Sequence, residues 1–395
     1  MTEVVTPPAP TILGRTTLVR RAKELVQAQT TQMAEHVLEV PMGYYRDRDV
    51  FEREVESLRH LPLALVHTSQ VSAPNDYVVR DLLGSSVLVT RDGEGVAHAF
   101  VNVCRHRGAR VADGCGSERR HTCPYHAWTY DPQGTLVGLP GAAGFDEVDR
   151  ADYGLVELPS EERHGFVWAV LTAGEDIDVA AHLGPLDAEL AAWPFAGYQH
   201  LTNRLVDGGT NWKAVLEAFA ENYHFAYVHR DSLIGQTTVT NTGLFDRFGL
   251  HHRLTFPGNW IADAPDGDHD EPLDYVVFIY WVYPNLVLAS TQVGLEIIDI
   301  LPGASPTEST LLHGWAARFP AQDDETLAGY RDLYEAVHAA VRDEDSAILH
   351  ACGDAVRYGQ HDHMLIGRNE IGVQNIVRAF SDALDLGITP RCVDR

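Results

Sequence analysis

Two cysteines and two histidines restrict this chain more than any other feature: Cys104-Arg105-His106, sixteen residues, then Cys123-Pro124-Tyr125-His126. Each pair lies beside a run with β-strand character, so two loop tips are expected to converge on one metal centre. Two thiolates and two imidazoles fit a zinc ion in a tetrahedron. They also fit a two-iron, two-sulfur cluster with both thiolates on one iron and both imidazoles on the other. Zinc fingers pair Cys with Cys and His with His. Here each loop supplies one of each, which suits a cluster whose irons need different ligands. Only five cysteines occur, at 104, 115, 123, 352 and 392, odd in number and unevenly placed. That is no disulfide framework and implies a reducing cytoplasm, with Cys115 a free thiol.

Around this centre the periodicity changes from helical to β and back. Leu18, Ala22, Leu25 and Val26 recur at helical spacing, giving a helix from about Arg15 to Leu38 after a Pro-rich start, and a second covers Arg48 to Leu61. Short β runs follow from Asp76, with Asp92-Gly93-Glu94-Gly95 and Asp131-Pro132-Gln133-Gly134 as turns. Helices are expected near 185–193 and 210–228, strands near 273–283, 285–300 and 309–318, and helices over Asp324–Tyr358 and Gly372–Leu384. The N-terminus lacks the basic start and apolar core of a signal peptide. The longest apolar run, Tyr275 to Tyr283, is far short of a membrane span.

A second constellation lies in Asn211-Trp212-Lys213-Ala214-Val215-Leu216-Glu217-Ala218-Phe219-Ala220-Glu221-Asn222-Tyr223-His224, continuing to His229. On one regular helix Glu217, Glu221 and His224 would share a face. His224 and His229, five apart, would lie roughly 140° apart on that helix. They can share a metal only if the helix ends or bulges between them. Phe219, Phe225 and Tyr227 nearby line a pocket or fill a core.

Asn102-Val103-Cys104-Arg105-His106-Arg107-Gly108-Ala109 resembles the first cluster-ligand loop of the Rieske non-haem iron oxygenases, the large (alpha) subunits of the ring-hydroxylating oxygenase family. Cys123-Pro124-Tyr125-His126-Ala127-Trp128 is similar to the second, with Ala127 where Gly is usual. Ala109 and Tyr125 stand where high-potential Rieske proteins carry an extra cysteine pair. The 211–229 run resembles the catalytic motif, although Ala218 replaces a common Asn and many members have Asp at the position of Glu221. The resemblance implies that Cys104, His106, Cys123 and His126 hold a [2Fe–2S] Rieske cluster. It implies that His224 and His229 are two ligands of a mononuclear Fe(II), and that Glu221 links the two iron centres. The third ligand, a carboxylate from a distant helix, is expected at Asp345. Its neighbours Val341, Ile348, Leu349 and Cys352 would form an apolar stripe on which a lone carboxylate is costly. Glu344 is the next choice, and His361-Asp362-His363, in an expected loop, reads as solvated surface. Lone histidines such as His251 and His252 read as structural or exposed.

The resemblance runs from Phe51-Glu52-Arg53-Glu54 to Gly367-Arg368-Asn369-Glu370-Ile371-Gly372 and implies an α+β fold. A Rieske [2Fe–2S] antiparallel β-sandwich domain (45–155) would follow an N-terminal helical segment (1–44). A helix-grip, START-like catalytic domain (156–395) would wrap a curved antiparallel sheet around a long C-terminal helix. The implied function is the terminal component of a multicomponent oxygenase. It would use O2 and electrons from NAD(P)H, through a separate reductase with or without a ferredoxin, since no nucleotide or flavin motif is present. Hydroxylation by mono- or dioxygenation, or oxidative dealkylation, of a small organic molecule, arenes included, would follow in a cytoplasmic homotrimer. Two alternatives stay open: a Rieske electron carrier without oxygenase chemistry, and a zinc-stapled helix-grip protein that binds a ligand. With 30 Lys+Arg against 56 Asp+Glu, the net charge of −26 argues against nucleic acid or an anionic membrane as partner. Against that background Arg105, Arg107, Arg110, Arg119 and Arg120, with only Asp113 and Glu118 among them, make a local +3 suited to an acidic electron donor.

Overall fold

The computed structural model describes residues 14–359, 361–384 and 390–393; the Pro-rich start lies outside them. Contacts divide the chain into two compact units. One comprises Glu52–His200 with Arg318–Pro320; the other comprises the residues up to Phe51, Leu201–Ala317 and Ala321 onward. The N-terminal segment thus belongs to the second unit. Its helix, Arg15–Gln27, buries Leu18, Val19 and Ala22. That helix is shorter than its periodicity suggested, because Gln29 takes left-handed backbone (φ +50°) and its N–H and that of Thr30 bond back to the carbonyls of Val26 and Leu25, closing the helix; Leu38–Pro41 is a strand paired with His363–Ile366.

The first unit carries three sheets. A five-stranded antiparallel sheet runs in the order 157–158, 97–101, 85–91, 76–82, 115–117. A three-stranded sheet joins 160–163, 166–169 and 63–67, and a small one joins His121–Thr122, Thr129–Tyr130 and Leu136–Gly138. Leu88, Phe100, Trp128, Tyr130, Leu136 and Leu155 form a core that also contains Cys104 and Cys123.

In the second unit, Leu244–Phe248, His251–Pro257, Val276–Val282, Leu286–Ser290, Gly294–Pro302 and Ser309–Ala317 form an antiparallel meander. Gln199–Asp207 lies beside the last of them, completing seven strands. The expected single strand 285–300 is two strands: Thr291 Oγ1 bonds the Gly294 carbonyl and closes a tight reversal. The expected 210–228 helix is also broken. It runs Trp212–Ala218, capped by the Asn211 side chain, and then stops until a four-residue turn, Phe225–Val228. The long C-terminal helix spans 324–358 as expected, with a π-helical segment, Ala340–Asp345, set between two α-helical parts. No helix among the described residues is long and apolar enough to cross a membrane.

Candidate functional site

The two cysteine loops share one backbone device. In the first, Gly108 N–H bonds the Cys104 carbonyl at 3.0 Å; in the second, Ala127 N–H bonds the Cys123 carbonyl at 3.0 Å. Each turn ends in left-handed backbone, at φ +82° for Gly108 and +55° for Ala127. Ala127 therefore takes the same left-handed conformation as Gly108 despite its methyl group, at a strain of about 1–2 kcal/mol. Cys104 and Cys123 are free and buried, whereas Cys115 is free and exposed. The His106 and His126 rings lie with centroids 4.6 Å apart, and Trp128 stacks on His106 at 5.0 Å. Tyr130 O–H lies 3.4 Å from Cys104 Sγ and accepts the Arg105 N–H at 3.1 Å. His106 Nδ1 is buried with no hydrogen-bond partner. A buried imidazole nitrogen left bare beside two buried thiols is a donor set in want of a metal, so these residues fit the cluster.

In the second unit His224, His229 and Asp345 each offer a ligand atom within 4.8 Å of the others. Asp345 Oδ1 lies 3.1 Å from His229 Nε2 and 3.7 Å from His224 Nε2. His224 and His229 stand at the two ends of the short helical turn Phe225–Val228: the earlier break lies ahead of His224, and the helix ends at His229, whose backbone has left the helical region. Gly235 fixes the far end, since a Cβ there would come within 2.2 Å of the His229 carbonyl.

The outer nitrogens are held by carboxylates. His224 Nδ1 bonds Glu221 Oε1, whose other oxygen accepts the backbone N–H groups of Tyr223 and His224. Glu221 thus caps the turn and orients the ring at once. His229 Nδ1 bonds Glu344 Oε2 at 2.7 Å, so Glu344, the alternative for the third ligand, sits behind His229 rather than among the converging atoms. Burial disfavours a charge on His229, but bonds and charge from Asp345 and Glu344 outweigh it and hold its pKa above the ordinary value. A pocket that attracts a proton in this way attracts a divalent cation for the same reason. The donor set, with one nitrogen of each imidazole free and the other anchored, fits a 2-His-1-carboxylate iron centre.

Four sequence expectations are corrected. Glu217 does not share a face with Glu221 and His224, because the helix ends at Ala218. It is buried against Tyr45, whose O–H approaches both its oxygens (3.1 and 2.9 Å), and burial pushes its pKa up to about 8. The stripe around Asp345 is only half apolar wall: Val341 and Leu349 are buried, but Ile348 is 50% exposed and Cys352 is exposed. The π segment ends at Asp345 and offsets the faces before and after it. Tyr227 is 72% exposed and lines nothing, whereas Phe219 and Phe225 line a cavity. His361, Asp362 and His363 are exposed, as read, with His363 opening a strand rather than lying in the loop. His251 and His252 are buried in a strand.

That cavity, about 280 Å³, also takes in His224, His229 and Asp345. Its sheet wall includes a cross-strand row, Ile279–Ala289–Glu296–Trp315, set by the register of four strands, with Phe256, Val277 and Ile298 beside it. Opposite stand Leu333, Val337 and Val341, spaced by four along the long helix, with Asp345 next in the series. Sequence reasoning identified neither Glu344's place nor this row. Strand parity was the available signal for the row, since Glu296 and Ile298 share a face.

Residues 62–151 match the Rieske [2Fe-2S] domain and residues 195–385 the ring hydroxylating alpha subunit (catalytic domain). A crystal structure of a quaternary ammonium Rieske monooxygenase in complex with an inhibitor aligns with a TM-score of 0.75 at 20% identity, covering 88% of this chain and 96% of that one. The fold is therefore that of a Rieske oxygenase alpha subunit, a Rieske domain followed by a catalytic domain. Over 310 residues the chain is 31% identical to the carnitine monooxygenase oxygenase subunit of Escherichia coli K12, covering 75% of this chain and 80% of that protein. The chain belongs to the Rieske non-haem iron oxygenases, among the large subunits of the ring-hydroxylating family. With the carnitine monooxygenase oxygenase subunit of Acinetobacter baumannii it shares 29% identity over 194 residues, 48% of this chain and about half (52%) of that relative's length.

Proposed function

We propose that this chain is the terminal oxygenase of a multicomponent system that mono-oxygenates a small organic amine, with oxidative N-dealkylation as the outcome. The observation that carries the reading is the convergence of His224, His229 and Asp345 on an apolar cavity of about 280 Å³. His224, His229 and Asp345 would hold a mononuclear Fe(II), and Cys104, Cys123, His106 and His126 a [2Fe–2S] cluster. Bound there, these groups supply dioxygen activation and one-electron delivery.

The protein's own residues do the rest. Glu221 and Glu344 accept the outer N–H of the two imidazoles, which fixes each ring and keeps the inner nitrogen unprotonated and aimed at the metal. Phe219, Phe225, Phe256 and Trp315 line the cavity and keep bulk water from the reacting atoms. The amine class follows the relatives, which are named for carnitine and quaternary ammonium compounds. Electrons would come from NAD(P)H through a separate reductase, with the exposed Arg105, Arg107, Arg119 and Arg120 as the docking face. Arg110 is already engaged by Asp81 at 2.9 Å. The family resemblance also supports a cytoplasmic homotrimer in which Glu221 links its own iron to a neighbouring subunit's cluster.

The test is oxygen and NADH consumption with a coupled reductase over a panel of amines and arenes, with product identified by mass. Turnover of an amine to its dealkylated product and an aldehyde supports the reading. Consumption without product across the panel, or ring hydroxylation alone, overturns it.

A further inference from the structure

One feature of the cavity is foreign to an apolar pocket. In the row Ile279–Ala289–Glu296–Trp315 a carboxylate stands among hydrocarbon and aromatic side chains, and Glu296 lines the cavity. No Lys or Arg is among the described residues that line it. A carboxylate in such surroundings is costly unless something holds it.

What holds it is a buried relay beside the cavity, between the same face of the sheet and the long helix. His313 Nε2 lies 3.2 Å from Glu296 Oε2, and His313 Nδ1 lies 3.0 Å from His338 Nδ1. Tyr334 O–H donates to the His313 carbonyl at 3.0 Å, leaving a hydroxyl lone pair 3.5 Å from His338 Nδ1. His313 and His338 are both buried, 0% and 3% exposed. Burial, then His313 and nearby arginines, push the His338 pKa down to about 4, so its ring is neutral near pH 7. His313 Nε2–H donates to Glu296, and the neutral His338 ring meets His313 at its other nitrogen. The relay fixes the carboxylate in place, and no Lys or Arg that lines the cavity offsets it.

Aromatic faces complete the surroundings. Trp315 is the direct cross-strand neighbour of Glu296, and Phe225, Phe256 and Trp260 also line the cavity. Aromatic faces and a carboxylate apart from those at His224 and His229 together favour an organic cation. A zwitterion that carries its own carboxylate finds no Lys or Arg here and the Glu296 carboxylate against it.

We propose that Glu296 is a specificity-determining residue, selecting a monocationic ammonium substrate over zwitterionic betaines and neutral isosteres, with His313 and His338 as positioning residues. The proposal rests on the oxygenase reading for its catalytic meaning, but binding alone decides it. Calorimetric titration of the reconstituted holoenzyme compares choline, its neutral isostere 3,3-dimethylbutan-1-ol, and glycine betaine. Choline should bind at least tenfold tighter than either. In Glu296→Gln, with its iron content checked, that preference should collapse to within about threefold. Equal binding of choline and the isostere by the wild type overturns the proposal, and needs no variant to fold. So does a preference that survives in Glu296→Gln. Reoxidation of the pre-reduced cluster is measured separately over the amine and arene panel. If no compound accelerates it while choline keeps its advantage in binding, the oxygenase reading fails and the charge selection stands.

Discussion

Asp345 and Glu344 are adjacent in sequence, yet the geometry assigns them different tasks, and iron affinity separates the two. Asp345 Oδ1 faces both inner imidazole nitrogens, whereas Glu344 reaches only His229 Nδ1, at 2.7 Å. Losing the partner that orients a metal-bound histidine lowers affinity about 10–100-fold, or about 1.4–2.7 kcal/mol. Glu344 is 29% exposed at its side chain, so water can replace the lost acceptor, and Glu344→Ala should fall near the tenfold end. Asp345→Ala removes one of three inner donors and should exceed the roughly 100-fold upper limit for an outer partner. The assay is anaerobic titration of Fe(II) against a competing chelator, with the visible spectrum of the cluster as an internal control. Both variants should keep the cluster, whose ligands lie on separate loops. Equal losses in the two variants, or full retention of the mononuclear iron in Asp345→Ala, would refute the assignment.

Glu221→Gln should leave both iron centres assembled and the cluster reducible, but slow reoxidation with substrate and oxygen by tenfold or more; wild-type single-turnover kinetics would remove the linking role. Ala127→Gly relieves about 1–2 kcal/mol of left-handed strain against about 0.4–1 kcal/mol of added unfolded-chain freedom. The Rieske unit should therefore gain about 0.5–1 kcal/mol, read as a higher denaturant midpoint for cluster loss, and no gain would deny the strain. His252 is fully buried and its pKa is held down to about 3 by burial, then by His251 and Arg247. Between pH 6.5 and about 3 the unfolded chain binds a proton that the folded one refuses, so stability falls as pH drops, by up to about 1.4 kcal/mol per pH unit. His252→Phe should flatten that part of the profile; an unchanged slope would reject the assignment. Arg119→Glu should slow reduction of the cluster by its donor and weaken the salt dependence of that rate, and indifference to both would dismiss the docking face.

The chemistry-bearing residues were the legible part of the sequence, because metal ligation demands residue types that little else explains. Cys104, His106, Cys123 and His126 stand out by spacing as a donor set, whereas His224 and His229 stand out only through the family resemblance, and the structure brings their rings together with Asp345. The helix breaks were harder to see. Trp212 to Val228 has helical composition throughout. What ends the helix is tertiary: Asn222 donates its side-chain amide to the carbonyls of Val239 and Thr242, far along the chain. The π segment is equally silent, since Ala340-Val341-Arg342-Asp343-Glu344 would suit an ordinary α-helix. Its anchors are the Glu344–His229 bond and the Ser346 hydroxyl on the Asp207 carbonyl, contacts with no local sequence trace. Ser290 to Gly294 lacks the Asn-Gly or Asp-Gly pair that announces a hairpin, so two strands read as one.

The π segment also shapes how this site can be lost or altered over generations. An i→i+5 turn holds one residue more than an i→i+4 turn, so 324–358 is a helix carrying a single extra residue just ahead of its metal-facing carboxylate. Point substitutions at exposed positions such as Arg342 or Asp343 leave that count intact. Removing any one codon between 340 and 344 would restore an unbroken α-helix. Because the wide turn had absorbed that residue, the α-helical parts before and after it would stay in register, and the loss would be local. It would fall on Glu344 and Asp345, sequence neighbours that reach His229 at its two ring nitrogens, so the contact behind the ring is as exposed to a change of length as the one in front of it.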